Sequence, residues 1–222
     1  MRTVLKSERD QPAVTCVALE ETSHPGRPRL DELVPSRYAV QVGEIDVMVG
    51  GLLVDGVRER LRPDLRVHVA AAEAEFWESP DFSRVNMPSG FPDALRRTAK
   101  RFLNEYDGQL RPFETEYEVA PGVVVRRTGG HTPGHSVVRL ASGGDRLTFA
   151  GDAVFQVGFE HPDWYNGFEH DPEEAARVRV RLLRELAANG SLLVATHMPF
   201  PSVGHVAVAG DAFRWVPAFW DY

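Results

Sequence analysis

Apolar and polar residues alternate from Tyr38 onward: Tyr38, Val40 and Val42, then Ile45, Val47 and Val49, with Gly43-Glu44 between the two runs. A period of two broken by a glycine turn predicts a β-hairpin over residues 37–49. The same reading predicts a short strand in "LRVHVA" at 65–70 and strands in "FETEYEVA" and "GVVVRRT", joined by Pro121-Gly122. Further strands are predicted in "SVVRLAS" and "RLTFAG", joined by Gly143-Gly144, then in "SLLVAT", "HVAVAG" and "FRWVP". "AAEAEFW" reads as a helical turn, and residues 91–107 as a helix with Leu95, Ala99, Phe102 and Tyr106 on one face. Asp171-Pro172-Glu173-Glu174 offers an N-cap, a proline in the first turn and a capping-box glutamate. That helix should run to the stop signal Asn189-Gly190. Strand-rich stretches with a few helices predict an α/β (α+β) fold, a sheet layer covered by helices.

Composition narrows the class. The 222 residues suffice for one large domain or two small ones. A net charge of −7, with Arg and Glu interspersed, argues against a nucleic-acid partner. Cys16 is the only cysteine, so neither an internal disulfide nor a zinc-finger spacing is available, which fits a cytoplasmic location. No apolar run approaches the roughly 20 residues of a membrane span, and "MRTVLKSERDQPAV" lacks a signal-peptide core. The first 36 residues are polar and proline-rich, and read as an extended arm.

Three predicted strands end on side chains able to hold a metal. The strand through Val123–Arg127 leads into "GGHTPGH", where Pro133 and Gly134 exclude a helix and present His131 and His135 from a loop. The strand through Leu147–Ala150 ends at Gly151-Asp152, and the one through Leu192–Thr196 ends at His197. Strand ends next to loops are where sites on α/β folds form. Imidazole with carboxylate suits zinc, iron or manganese, and leaves a coordination position for a water that the metal would acidify. Taken singly, a histidine at a strand end is a capping residue and an aspartate after glycine a turn former.

In order, "HTPGHSVVRL", "LTFAGDAVF" and "ATHMPFPSVGHV" resemble the second half of the metallo-β-lactamase superfamily. The branch they resemble contains methyl parathion hydrolase-like and N-acyl-homoserine lactonase-like enzymes, and the likeness covers most of residues 65–222. It implies an αββα sandwich and a single domain over 1–222. It also implies a metal-dependent, zinc-type hydrolase in which a metal-bound hydroxide attacks a lactone, ester or phosphotriester. By that resemblance His135 is a ligand of one metal, Asp152 bridges two, and His197 binds the second. His131 is then a residue that shapes the loop or braces a ligand. His205 of "SVGHV" lines or supports the site, and Trp164 and Phe200 belong to an aromatic pocket for a small-molecule substrate.

The superfamily's His-x-His-x-Asp-His motif, expected upstream of residue 65, is absent: His24 is the only histidine before His68. "IDVMVGGLLVDG" joins a hairpin like the family's first strands to Gly50-Gly51-Leu52-Leu53, which resembles the residues after the missing motif. This points to an internal deletion near 49/50; the alternative is a simple turn after a diverged N-terminal part. Each metal would keep about two protein ligands where catalytic zinc normally has three, unless His161, Asp163, His170, Asp171 or His205 moves in. The lost strands would leave an open sheet edge and an uncovered apolar face, and so a homodimer or a marginal fold. Beside the hydrolase stand two other readings: an inactive family member or binding module, and a metal-free domain whose two loops are only turns.

Overall fold

The computed structural model describes residues 16–17, 37–50, 66–199 and 202–218. Strands β1 (Cys16–Val17), β2 (Arg37–Val42) and β3 (Ile45–Gly50) form one antiparallel sheet in that order. The hairpin expected at 37–49 is present in register, with Tyr38 opposite Val49 and Val42 opposite Ile45. Within the expected arm, Cys16–Val17 add to its edge against Val40 and Ala39; the rest of the arm lies outside the described residues, as do residues 51–65 beyond the 49/50 junction.

β4 (Val67–Ala70) leads directly into α1 (Ala71–Glu78); α2 spans Phe91–Glu105, and β5 (Leu110–Phe113) pairs parallel to β4. The expected inward face of α2 holds only in part: Tyr106, just past its end, is buried, whereas Phe102 is 38% exposed and lies on the Tyr106 ring at 4.6 Å. The main sheet has seven strands. They are β6 (Glu116–Ala120), β7 (Val123–Arg127), β8 (Ser136–Ser142), β9 (Asp145–Phe149), β10 (Leu192–Val194), β11 (Val203–Ala209) and β12 (Ala212–Pro217), in spatial order β12-β11-β10-β9-β8-β7-β6. β9 and β10 are its one parallel pair among the described residues, Leu147 opposite Leu192 and Phe149 opposite Val194. A parallel pair needs a crossover, here the short helix α3 (Val157–Glu160) and the long α4 (Pro172–Asn189).

Both faces of this sheet are covered, which is why β10 reads as the unbroken apolar run Leu192-Leu193-Val194. Leu193, Val137 and Val206 face α4 and pack on its Val178, Leu182, Leu183 and Leu186. Leu192, Val194, Leu140 and Leu147 face the other way, onto Val42, Ile45 and Val47 of the hairpin. The layers are helix, sheet and sheet. α4 starts where the sequence said it should: Pro172 sits in the first turn and Asp171 Oδ1 accepts from Glu174 N at 3.1 Å. Only half of the capping box forms, because Asp171 N donates to Gly130 O at 3.0 Å and Glu174 turns outward to Arg177. The helix ends on Gly190, at φ 67°, as expected.

Inside the buried face of α4 sits Arg179, with no exposed surface. Its guanidinium is ion-paired to the equally buried Glu169, donates to the carbonyls of Ala153, Pro162 and Trp164 at 3.3, 3.0 and 2.8 Å, and lies over the Phe155 ring. It ties the loop from His161 to His170 and the turn after β9 to one helix.

Candidate metal centre

The loop after β7 is folded by its own backbone. The amides of Thr128 and Gly129 both donate to His135 O, at 2.7 and 3.1 Å. Gly130, at φ 85°, lies so close to α4 that a Cβ there would collide with the Ala175 backbone, whereas Gly129 has room but takes the left-handed φ of 71°. Thr128 Oγ1 is 2.7 Å from His135 Nδ1 and 3.0 Å from His135 O. Its one proton goes to the carbonyl oxygen, so it accepts from Nδ1–H. That leaves a lone pair on Nε2, which accepts from Asp152 N at 3.3 Å. Burial, and then the neighbouring His131, push His135 down to about 4, so the ring is neutral at pH 7. A neutral imidazole with an unprotonated Nε2 is the form that binds a metal.

Asp152 sits in the 3-10 turn Gly151–Ala153 that follows β9. Its Oδ2 is 3.2 Å from His131 Nε2 and its Oδ1 3.3 Å from His197 Nε2. The His131 hydrogen bond, with the charges of His131, His197 and His135 behind it, pulls the carboxyl down to about 2. His197 follows β10 and forms a parallel bridge with Phe155, extending the alignment of β9 and β10. Three strand ends therefore deliver His131, His135, Asp152 and His197 to one place. Among the described residues, the buried Nδ1 of His131 has no hydrogen-bond partner. No group of three or more His, Cys, Asp or Glu among the described residues is arranged to hold one ion by itself.

These side chains line a cavity of about 850 Å³ whose other walls include Phe76, Trp77, Phe82, Met87, Phe91 and Phe168. Two residues assigned to the site or its pocket from sequence, His205 and Trp164, are not on these walls. His205 pairs one residue beyond Gly204, which lies opposite Leu193; it sits at the start of β10, the end opposite His197, and bonds Gly190 O through Nδ1 at 3.1 Å. Trp164 is 53% exposed and stacks on His161 at 3.8 Å. Phe200 lies outside the described residues. Among the possible substitute ligands, His170 does reach the cavity wall, edge-on to Phe76, while Asp171 is occupied as the cap of α4.

Sequence reasoning missed Glu73. Its Oε2 accepts from Thr132 Oγ1 at 2.6 Å and from Gly134 N at 2.9 Å, and its Oε1 from Trp77 Nε1 at 2.8 Å. Nothing in "AAEAEFW" marks this glutamate, because its two loop partners, Thr132 and Gly134, lie far along the chain on the histidine loop.

The model of the metallo-beta-lactamase superfamily matches residues 53–197. No match is found among curated proteins. Among solved structures, the chain is similar to AidC, a dizinc quorum-quenching lactonase, at 22% identity and a TM-score of 0.65. It is similar to AbOPH, a hydrolase in the beta lactamase superfamily, at 27% identity and a TM-score of 0.61. A probable metal-dependent hydrolase from Staphylococcus aureus is similar at 18% identity and a TM-score of 0.52, over 68% of this chain and 51% of that one. For AidC and AbOPH the likeness covers 72% of this chain but 57% of theirs, so the chain spans little more than half the length of either.

Proposed function

The chain belongs to the metallo-β-lactamase superfamily, and from that premise we propose that it is a metal-dependent hydrolase, with zinc as its ion, acting on a lactone, ester or phosphotriester. The observation that carries this reading is Asp152, ionised and held between His131 and His197 with the neutral His135 beside it, in the wall of a large apolar cavity. The donor chemistry fits zinc: an unprotonated imidazole Nε2, a charged carboxylate and an exposed histidine. His135 and Asp152 would hold one ion, and Asp152 and His197 a second. When bound, such an ion acidifies water and polarises the electrophile.

The chain's own residues do the rest. Thr128 fixes the His135 tautomer, and His131 orients the Asp152 carboxylate. The aromatic walls hold the apolar part of a substrate and exclude water from its reacting end. AidC, a lactonase, supports the lactone among these substrate classes. We further infer that the segment carrying the His-x-His-x-Asp-His ligands is missing near residues 49/50. Protein donors then fall short of three per ion, and the metal is held weakly enough that it must be supplied in the assay. The shortage of donors among the described residues favours a second reading, a binding module that keeps the pocket without the chemistry.

The test is elemental mass spectrometry on protein dialysed against zinc, with turnover of an aryl ester and a lactone measured at saturating metal. Zinc retained by the wild type and lost in His135→Ala, with metal-dependent turnover, supports the hydrolase. Zinc retained without turnover of either substrate selects the binding module, and no bound zinc overturns the metal reading.

A further inference from the structure

The Glu73 carboxylate, on a side chain outside the histidine loop, ties the loop's Thr132 hydroxyl and Gly134 amide together. We propose that Glu73 is the positioning residue of the metal centre: it sets the loop that carries His131 and His135 from outside, through α1. This rests on the metal reading above only for its consequence, not for the contact itself.

The carboxylate supplies acceptors only, and three donors converge on it: two from the loop through Oε2 and one, the Trp77 indole, through Oε1. Gly134 packs so close to α1 that a Cβ would collide with the Glu73 backbone, so loop and helix meet without intervening atoms. Gly134 is the residue before His135, whose Nε2 faces Asp152 N. A shift of the Gly134 amide is therefore carried directly into the ring that must present Nε2. His131 is held from the same loop, one residue before Thr132, with its Nε2 on Asp152. Glu73 touches no donor atom of the centre, so its effect is on how well the donors are placed. Such supporting hydrogen bonds change metal affinity by about 10–100-fold.

Chemistry also supplies the control. In Glu73→Gln the side chain keeps its shape but has one acceptor oxygen and one NH₂. If the oxygen faces the loop, the NH₂ meets the Trp77 N–H, donor against donor; if it faces Trp77, the NH₂ meets the loop donors. Trp77→Phe removes the competing donor, so the double variant lets the glutamine oxygen face Thr132 and Gly134.

The experiment is a cobalt(II) titration followed by visible absorption, with ¹⁵N–¹H spectra of the metal-free protein and a melt of every variant. Glu73→Gln should weaken cobalt binding at least tenfold and move the Gly134 amide resonance. Glu73→Gln with Trp77→Phe should return both to within about threefold and to the wild-type position. Thr132→Val, which removes one loop donor, should weaken cobalt binding less than Glu73→Gln. A role confined to stability would lower the melting temperature without rescue by Trp77→Phe, and that outcome overturns the proposal. So does wild-type cobalt affinity in folded Glu73→Gln. If the wild type binds no cobalt while the Gly134 resonance shifts and is rescued as described, Glu73 positions the loop and the metal reading is what fails.

Discussion

At the scale of single residues, the centre is organised by protonation as much as by position. His135 is buried and neutral, lowered from 6.5 to about 4. Between those two pH values the unfolded chain takes up a proton that the folded chain refuses. Stability must therefore fall as pH drops from about 6.5 to about 4, and hold above that window. Asp152, pulled from 3.8 to about 2, is depressed as well: the stability it contributes is present above pH 4 and is lost as pH falls through its folded value. The two windows adjoin without coinciding. In urea unfolding from pH 7 to pH 4, the wild-type midpoint should slope downward, and His135→Gln should flatten that slope. An equal slope in the variant would show that His135 is not the group refusing the proton. The second residue-scale case is Arg179, whose removal strands Glu169, a carboxyl that burial pushes up, with no cation beside it. Arg179→Met should lose about 3–5 kcal/mol, and adding Glu169→Gln should recover part of it; a loss under about 1 kcal/mol would mean the loop from His161 to His170 does not depend on the pair.

At the scale of elements, α4 shows what a local signal does and does not fix. Asp171 caps the helix through Glu174 N, whereas the Glu174 side chain is spent on an exposed pair with Arg177. Asp171→Ala should destabilise by about 1 kcal/mol and Glu174→Ala by under about 0.5 kcal/mol, read from thermal melts of the two variants. Equal losses would mean that the reciprocal capping bond forms in solution. Strands, turns and helix ends were legible because they rest on neighbouring residues: Gly43-Glu44, Gly143-Gly144, Asp171 and Gly190 each act within a few positions of themselves. Three of the metal-capable residues were legible for a related reason, since each follows a strand that aligns with the next. Glu73, Thr128 and the Arg179–Glu169 pair were not, because their meaning depends on partners brought near only by the fold. Arg179 even looks like a polar break in the apolar face of α4, when it is as fully enclosed as Leu183 beside it. His205 was misplaced because motif order does not reveal which end of β10 a residue of β11 will face.

At the scale of the whole molecule, the fold and the metal are separable. The two apolar clusters cover opposite faces of the seven-stranded sheet, one under α4 and one under the β2–β3 hairpin. None of His131, His135, Asp152 and His197 belongs to either. The sheet that fixes the positions of these donors is thus held by Leu193, Leu183, Val42 and their neighbours, and not by coordination. This differs from small zinc domains, whose folding energy is the metal's. Chelation with EDTA should therefore move the melting temperature by no more than about 1 °C. Added zinc should stabilise only by mass action, RT ln(1 + [Zn]/Kd), about 0.4 kcal/mol when zinc equals Kd. For a chain of this size that is a shift of about 1–2 °C, rising with the logarithm of zinc and disappearing in His135→Ala. A collapse of the fold on chelation would instead make the ion a structural element, with a ligand set larger than the four residues gathered at the strand ends. A small shift that keeps growing with the logarithm of zinc is the result expected of a centre that the protein builds first and fills afterwards.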